Sequence, residues 1–241
     1  MKYLITISYD GSKYKGLQKL KNENTVQGEL EKVLSAIDSK PVSVKAAGRT
    51  DRGVHALDQK CHFELEKAIT PFRLRYYIDK STSKYLYVKD CKLIEDENFH
   101  ARFSVKSKTY EYRINTGEYD PINADYVYNM NKELNIEGMV EASKALIGQH
   151  NYKVFVTGPH KTYDSIIDYI NIVKKDDLVI IQIKGKAFYT YMVRNIVSAL
   201  TLIGLNKINK EQLYQMINKQ ERVIEYAPAP ANGLYLKKIE Y

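Results

Sequence analysis

Apolar and polar positions alternate from the start of the chain: Tyr3, Ile5, Ile7 and Tyr9 fall against Lys2, Leu4, Thr6 and Ser8, the period of two expected of a β-strand. Asp10-Gly11-Ser12 ends that strand, and the lysine-rich stretch from 13 to 22 has no period and reads as a solvated loop. Val26, Leu30, Val33, Leu34 and Ile37 then recur at helical spacing, which predicts an amphipathic helix capped by Asn24 with Gln27 and stopped by Ser39-Lys40-Pro41. A short strand over 42–46 follows, and then a second in which Gln59, Cys61, Phe63 and Leu65 alternate with polar neighbours. Thr70-Pro71 opens a helix over 72–79, and Tyr85-Leu86-Tyr87-Val88 resumes strand character. This β-α-β-β-α-β-like order predicts an RNA-recognition-like or ferredoxin-like half.

The second half has a similar element order without a repeat in letters. Tyr110, Tyr112 and Ile114 share one face of a strand over 109–114, where core packing is the ordinary use of such rings and stacking on a base is the functional one. Residues 116–131, with Gly117, Pro121 and several Asn and Asp, carry turn chemistry. The expected organisation is therefore a half over 1–115, a connecting segment over 116–131 and a second half over 132–241. In that second half the pattern predicts a helix over 136–147 ended by Gly148, a hairpin of 166–173 with 178–183, a short helix through Leu213, Met216 and Ile217, and a last strand over 234–241. Phe188, Met192, Ile196, Ala199, Leu200 and Ile203 make the most hydrophobic helical stripe, a core element. Arg194 inside that stripe calls for an anionic partner, such as a carboxylate.

Composition narrows the partner. The 37 Lys and Arg against 29 Asp and Glu give a net charge of +8 and a pI near 9.1, which favours a polyanion such as nucleic acid. Cys61 and Cys91 show no metal-ligand spacing, so neither a disulfide framework nor a metal site is expected. The N-terminal residues have no signal-peptide core and no apolar run approaches membrane-spanning length, so a cytoplasmic protein without membrane association is expected.

The chemistry concentrates in Gly48-Arg49-Thr50-Asp51-Arg52-Gly53-Val54-His55-Ala56. Only 8 of the positive residues are arginine, yet Arg49 and Arg52 bracket Asp51. Two guanidiniums beside a carboxylate favour its anion and offer forked donors to phosphate. A carboxylate so held is a nucleophile or a base. The same residue types also build an ordinary surface turn.

This stretch resembles the signature loop of the TruA family of tRNA pseudouridine synthases, G-R-T-D-x-G-V-H-A. Other blocks match in order: Tyr9-Asp10-Gly11-Ser12 with Gly16 and Gln18, Val26-Gln27, Phe99-His100-Ala101-Arg102-Phe103-Ser104, Tyr110-Glu111-Tyr112, Met192-Val193-Arg194-Asn195, and Gly233-Leu234-Tyr235-Leu236. The resemblance implies an α+β fold of two ferredoxin-like halves whose antiparallel sheets meet along a central basic cleft, acting on tRNA as a homodimer without cofactor or metal. It implies isomerisation of uridine to pseudouridine on the 3′ side of the anticodon stem and loop, by base flipping. At the matching positions Asp51 is the nucleophile, Tyr110 the ring stacked on the uracil, Arg194 the ion-pair partner orienting Asp51, and Leu234 an apolar wall. Arg49 takes the place vacated by the flipped nucleotide, and Arg52, at the variable position, contacts phosphate. The chain departs from the family at Leu17, where Trp is usual, over 75–87, and over 151–171. Those departures keep open a paralogue that modifies ribosomal RNA, beside a non-catalytic RNA-binding module.

Overall fold

A computed structural model describes all 241 residues. The chain groups into two compact units, Met1–Lys106 with Tyr235–Tyr241, and Ser107–Leu234. The architecture is α+β, with ten strands paired mostly antiparallel and five α-helices.

In the first unit β1 (Lys2–Tyr9) lies between β3 (His55–Glu64) and β4 (Leu86–Leu93), antiparallel to both, so that Ile5 faces Cys61 on one side and Cys91 on the other. β2 (Lys45–Ala46) pairs with β3 through Ala46 and Cys61, and is shorter than the strand expected over 42–46. β10 (Leu234–Glu240) joins β3 in parallel at Tyr235 with His55 and Leu236 with Ala56. β1 is buried on both faces, Leu4 and Thr6 included, because it is the central strand of this group.

α1 (Val26–Asp38) forms where the pattern predicts, with Val26, Leu30 and Leu34 fully buried, each contributing about 1.5–3 kcal/mol. Its cap differs from the expectation. Thr25 is the N-cap, its hydroxyl accepting from the Gly28 amide at 3.2 Å, whereas Asn24 donates to the Lys13 carbonyl and Gln27 to Glu31 and Val44. The stretch from 13 to 22 is not simply solvated either. Tyr14 and Leu17 are buried, and backbone bonds from Lys15 to Asn24 and from Gln27 to Leu17 tie it to the helix entrance. α2 (Pro71–Ser81) starts on Pro71 with its fixed φ, and Leu74 and Ile78, one turn apart, are its buried positions.

The second unit is built on β5 (Ser107–Asn115), β6 (Tyr128–Asn129), β7 (Gly148–Asn151), β8 (Asp164–Lys175) and β9 (Leu178–Gly185), running β5-β9-β8-β7 with β6 beside β5. The β8–β9 hairpin closes through Asp176-Asp177, Asp176 taking the left-handed conformation at φ 52. α3 (Ile136–Ser143) is shorter than the helix expected over 136–147, because the chain tightens into a 3-10 turn at Lys144–Leu146 and Gly148 at φ 103 begins β7. α4 (Met192–Gly204) carries Met192, Ile196, Ala199 and Leu200 fully buried. Phe188 lies before it, since Tyr191 at φ 60 sets the helix start. α5 (Lys210–Lys219) is closed by a capping box of Asn209 with Gln212. No helix is long and apolar enough to cross a membrane.

The capping geometry gives a direct test. Thr25→Ala is expected to lower unfolding free energy by about 1 kcal/mol and Asn24→Ala by less than half as much, read from urea midpoints; the reverse order would restore Asn24 as the cap.

Candidate active site

The loop over 47–54 is the turn of the β2–β3 hairpin, and Ala47, Gly48 and Thr50 are tied down by residues from outside it in the first unit. The Ala47 amide donates to the Lys60 carbonyl, and the buried Gln59 amide side chain donates to the Gly48 carbonyl at 2.8 Å. Thr50 is held twice: its hydroxyl shares a 2.7 Å hydrogen bond with the Tyr9 hydroxyl, and its carbonyl accepts from the Leu17 amide at 3.1 Å. The Val54 amide donates to the Asp51 carbonyl, a tight turn that needs Gly53 at φ 83. The backbone on both sides of the half-buried Asp51 is thus fixed.

The second wall of the loop is Asp10-Gly11-Ser12. A Cβ on Gly11 would lie 2.0 Å from the Val54 carbonyl oxygen, so only glycine permits this approach. Its amide lies, as donor, 3.1 Å from Nδ1 of the buried His55, and the same ring nitrogen lies 3.4 Å from Asp10 Oδ1. His55 also stacks on Tyr235, ring centroids 4.7 Å apart, while Asp10 accepts from the Ser12 amide and hydroxyl. His55 and Gln59 therefore hold the loop, and pattern reading did not assign them that work. The available signal was the pair Gly11 and Gly16, of which Gly16 at φ 100 passes close to the Thr50 carbonyl.

Arg49 and Arg52, which flank Asp51 in sequence, are both exposed. The Arg49 guanidinium donates to Gln18 at 3.4 Å and Arg52 is exposed, so both keep donors for an external anion.

Tyr110, Arg194 and Leu234 belong to the second unit. Tyr110 is buried on β5 and meets the edge of Phe188, centroids 5.1 Å apart. Tyr112 is also buried, its hydroxyl donating to the Pro230 carbonyl at 2.6 Å. Burial raises that hydroxyl's pKa and the positive Arg194 offsets part of the rise. Arg194 is half-buried in the first turn of α4. Its Nε donates to the Ala229 carbonyl at 2.6 Å, and its guanidinium lies 4.7 Å over the Tyr191 ring. With the Ala229 amide returning to the Arg194 carbonyl, the side chain is locked at its root. Leu234 is buried at the start of β10, beside Gly233, which packs on Tyr112 and the Arg113 carbonyl.

Phe99-His100-Ala101-Arg102-Phe103-Ser104 is a buttressed loop of the first unit. The Ala101 amide donates to His62 Nδ1 at 3.1 Å and its carbonyl accepts from the Tyr241 hydroxyl. Burial, helped by the nearby His100 and Lys2, pushes the His62 pKa down to about 4, which keeps the acceptor nitrogen bare.

The profile of a family described as tRNA pseudouridine synthase matches residues 5–104 and 142–241. The chain belongs to the tRNA pseudouridine synthase family. It is 33% identical over 243 residues to a tRNA pseudouridine synthase A 2 of Bacillus cereus, covering 99% of each chain. It is 35% identical over 243 residues to tRNA pseudouridine synthase A of Malacoplasma penetrans, covering 100% of each. A solved Cbf5-Nop10-Gar1 complex contains a chain 12% identical, covering 83% of this chain and 44% of that one at a TM-score of 0.39. Both matched stretches of this family member take in site blocks: loop 47–54 with its clamp in one, Arg194 and Leu234 in the other.

Gly11→Ala is expected to cost about 1–3 kcal/mol, since the colliding atoms are backbone rather than a yielding side chain. Ser12→Ala should cost less. An unchanged denaturation midpoint for Gly11→Ala would mean that the Val54 peptide retreats freely.

Proposed function

We propose that this protein isomerises uridine to pseudouridine in tRNA, on the 3′ side of the anticodon stem and loop, with Asp51 as the nucleophile. The observation that carries the reading is the pinned loop: Gly48, Thr50, the Asp51 carbonyl and His55 are each bonded to a fixed partner, so the carboxylate projects from a backbone that cannot wander. In the first unit the run β4-β1-β3, with the two-residue β2 and β10 both pairing with β3 and with α1 and α2 as the crossovers, supports a ferredoxin-like half, as does the β5-β9-β8 path of the second with α3 and α4. The protein works as a homodimer in the cytoplasm.

The reaction breaks the bond from uracil N1 to ribose C1′, turns the base and joins its C5 to C1′. A proton leaves C5 and one arrives at N1, so no co-reactant is consumed. Extruding the base costs a few kcal/mol, which stacking on Tyr110 and phosphate contacts from Arg52 offset. Arg49 fills the vacancy in the stem, Arg194 orients Asp51, and Leu234 bounds the pocket against water. Asp51 attacks either C1′ or C6, or removes a ribose proton once the glycosidic bond has opened.

Asp51→Asn should reduce conversion of uridine in tRNA transcripts by about a thousandfold or more while RNA binding persists. Conversion at the original rate would remove Asp51 from the chemistry. Mapping pseudouridine in total RNA from cells carrying that variant identifies the sites, and changes confined to ribosomal RNA would move the substrate.

The two arginines should separate. Arg49→Ala is expected to damage kcat more, whereas Arg52→Ala should mainly weaken binding and reduce its salt slope by about one. Equal losses in kcat would refute that division.

A further inference from the structure

The solvent face of α2 is built unlike a solvated helix face. Phe72 is 81% exposed and Tyr76 54% exposed, with Tyr77, Arg73 and Lys80 beside them at helical spacing. The chain leaving this helix adds the exposed Lys84, Tyr85 and Tyr87. Three of these rings, Tyr76, Tyr85 and Tyr87, have a cation beside them, and Tyr77 meets the edge of Tyr76 with centroids 6.1 Å apart. Lys80 Nζ lies 5.8 Å from the Tyr76 ring, Lys84 Nζ 5.3 Å from Tyr85, and the Arg75 guanidinium 5.6 Å from Tyr87, whose hydroxyl accepts its 2.6 Å hydrogen bond. The acid on this helix, Asp79, accepts from the Val88 amide at 2.7 Å and lies 3.9 Å from Arg75 Nε.

We propose that this face is a second RNA-binding surface, on which unpaired nucleotides stack against Phe72, Tyr76 and Tyr77 while Arg73, Lys80 and Lys84 hold their phosphates. Alternating rings and cations match the alternation of base and phosphate along a single strand, whereas a protein interface of this apolar area would shed its lysines from the centre. The segment is rooted in the clamp of loop 47–54: the Asp10 amide donates to the Tyr85 carbonyl at 3.0 Å, and the Tyr14 hydroxyl bonds Ser83 Oγ at 2.9 Å and Glu29 at 2.6 Å. One RNA held here is therefore held against the same scaffold that positions Asp51. The inference rests on RNA being the substrate, as proposed above. It assigns a use to the stretch over 75–87, where the chain departs from the family pattern.

The chain has no tryptophan, so Tyr76→Trp installs a single fluorophore on the surface. Titration of that variant with a full-length tRNA transcript should quench its emission to saturation. Arg73→Glu with Lys80→Glu should weaken tRNA binding in filter retention about tenfold or more and raise KM for tRNA by the same factor, leaving kcat unchanged. All three positions are exposed, and a thermal melt confirms folding of each variant. Retained tRNA affinity with unchanged emission would overturn the proposal. So would sedimentation showing that the double variant loses self-association at unchanged RNA affinity, since the face would then join copies of the chain. If the wild-type protein converts no uridine but the quench and the affinity loss appear, the surface stands and the reading of the reaction fails.

Discussion

Gly11 and Val54 touch where any side chain would collide, and the Gly11 amide uses that closeness to reach His55. Much of the first unit follows from this contact. It forces β1 to end in the Asp10–Lys13 turn, brings Tyr9 under Thr50 and Leu17 onto the Thr50 carbonyl, and so determines where the hairpin loop can lie. The individual bonds are modest, each worth about 1 kcal/mol net. Their effect is positional: the bonds converge on residues 47–54, and a carboxylate placed by several weak, independent anchors loses little entropy when a substrate arrives.

A rigid loop with exposed arginines also divides labour between its residues. The backbone of Asp51 is held, while the exposed Arg49, bonded to Gln18, and the exposed Arg52 keep donors for whatever anion approaches. Arg194 follows the opposite rule, since its Nε and carbonyl are both spent on Ala229 and its plane is laid on Tyr191. Exposed guanidiniums search, whereas a guanidinium tied at its root keeps one orientation.

Much of this was legible in the letters. The helical spacing of Val26, Leu30 and Leu34, the Thr70-Pro71 start of α2 and the alternation in β3 all became the elements they predict, because local pattern and tertiary burial agree there. The loop and its supporting motifs were readable as a resemblance, but not as mechanics. That Asp10-Gly11 serves the loop is a contact across more than forty residues, and periodicity carries no such information. The cap of α1 passed from Asn24 to Thr25 for the same kind of reason: Asn24 is drawn to the Lys13 carbonyl, a partner that only the folded loop provides. The helix after Ile136 stopped early because Gly148 was needed to turn into β7, a strand too short to show a period.

The parallel pairing of β10 with β3 sets an order on folding. Tyr235, whose ring covers His55, and Leu236, which pairs with Ala56, follow loop 47–54 by some 180 residues along the chain. Everything from Ser107 to Leu234 is therefore synthesised before the first unit receives its last strand. On a ribosome the clamp around loop 47–54 stays open on its His55 side until Tyr235 and Leu236 have been made, because so distant a pairing cannot close earlier. A truncated chain thus carries Asp51 without the finished clamp that would hold it in place.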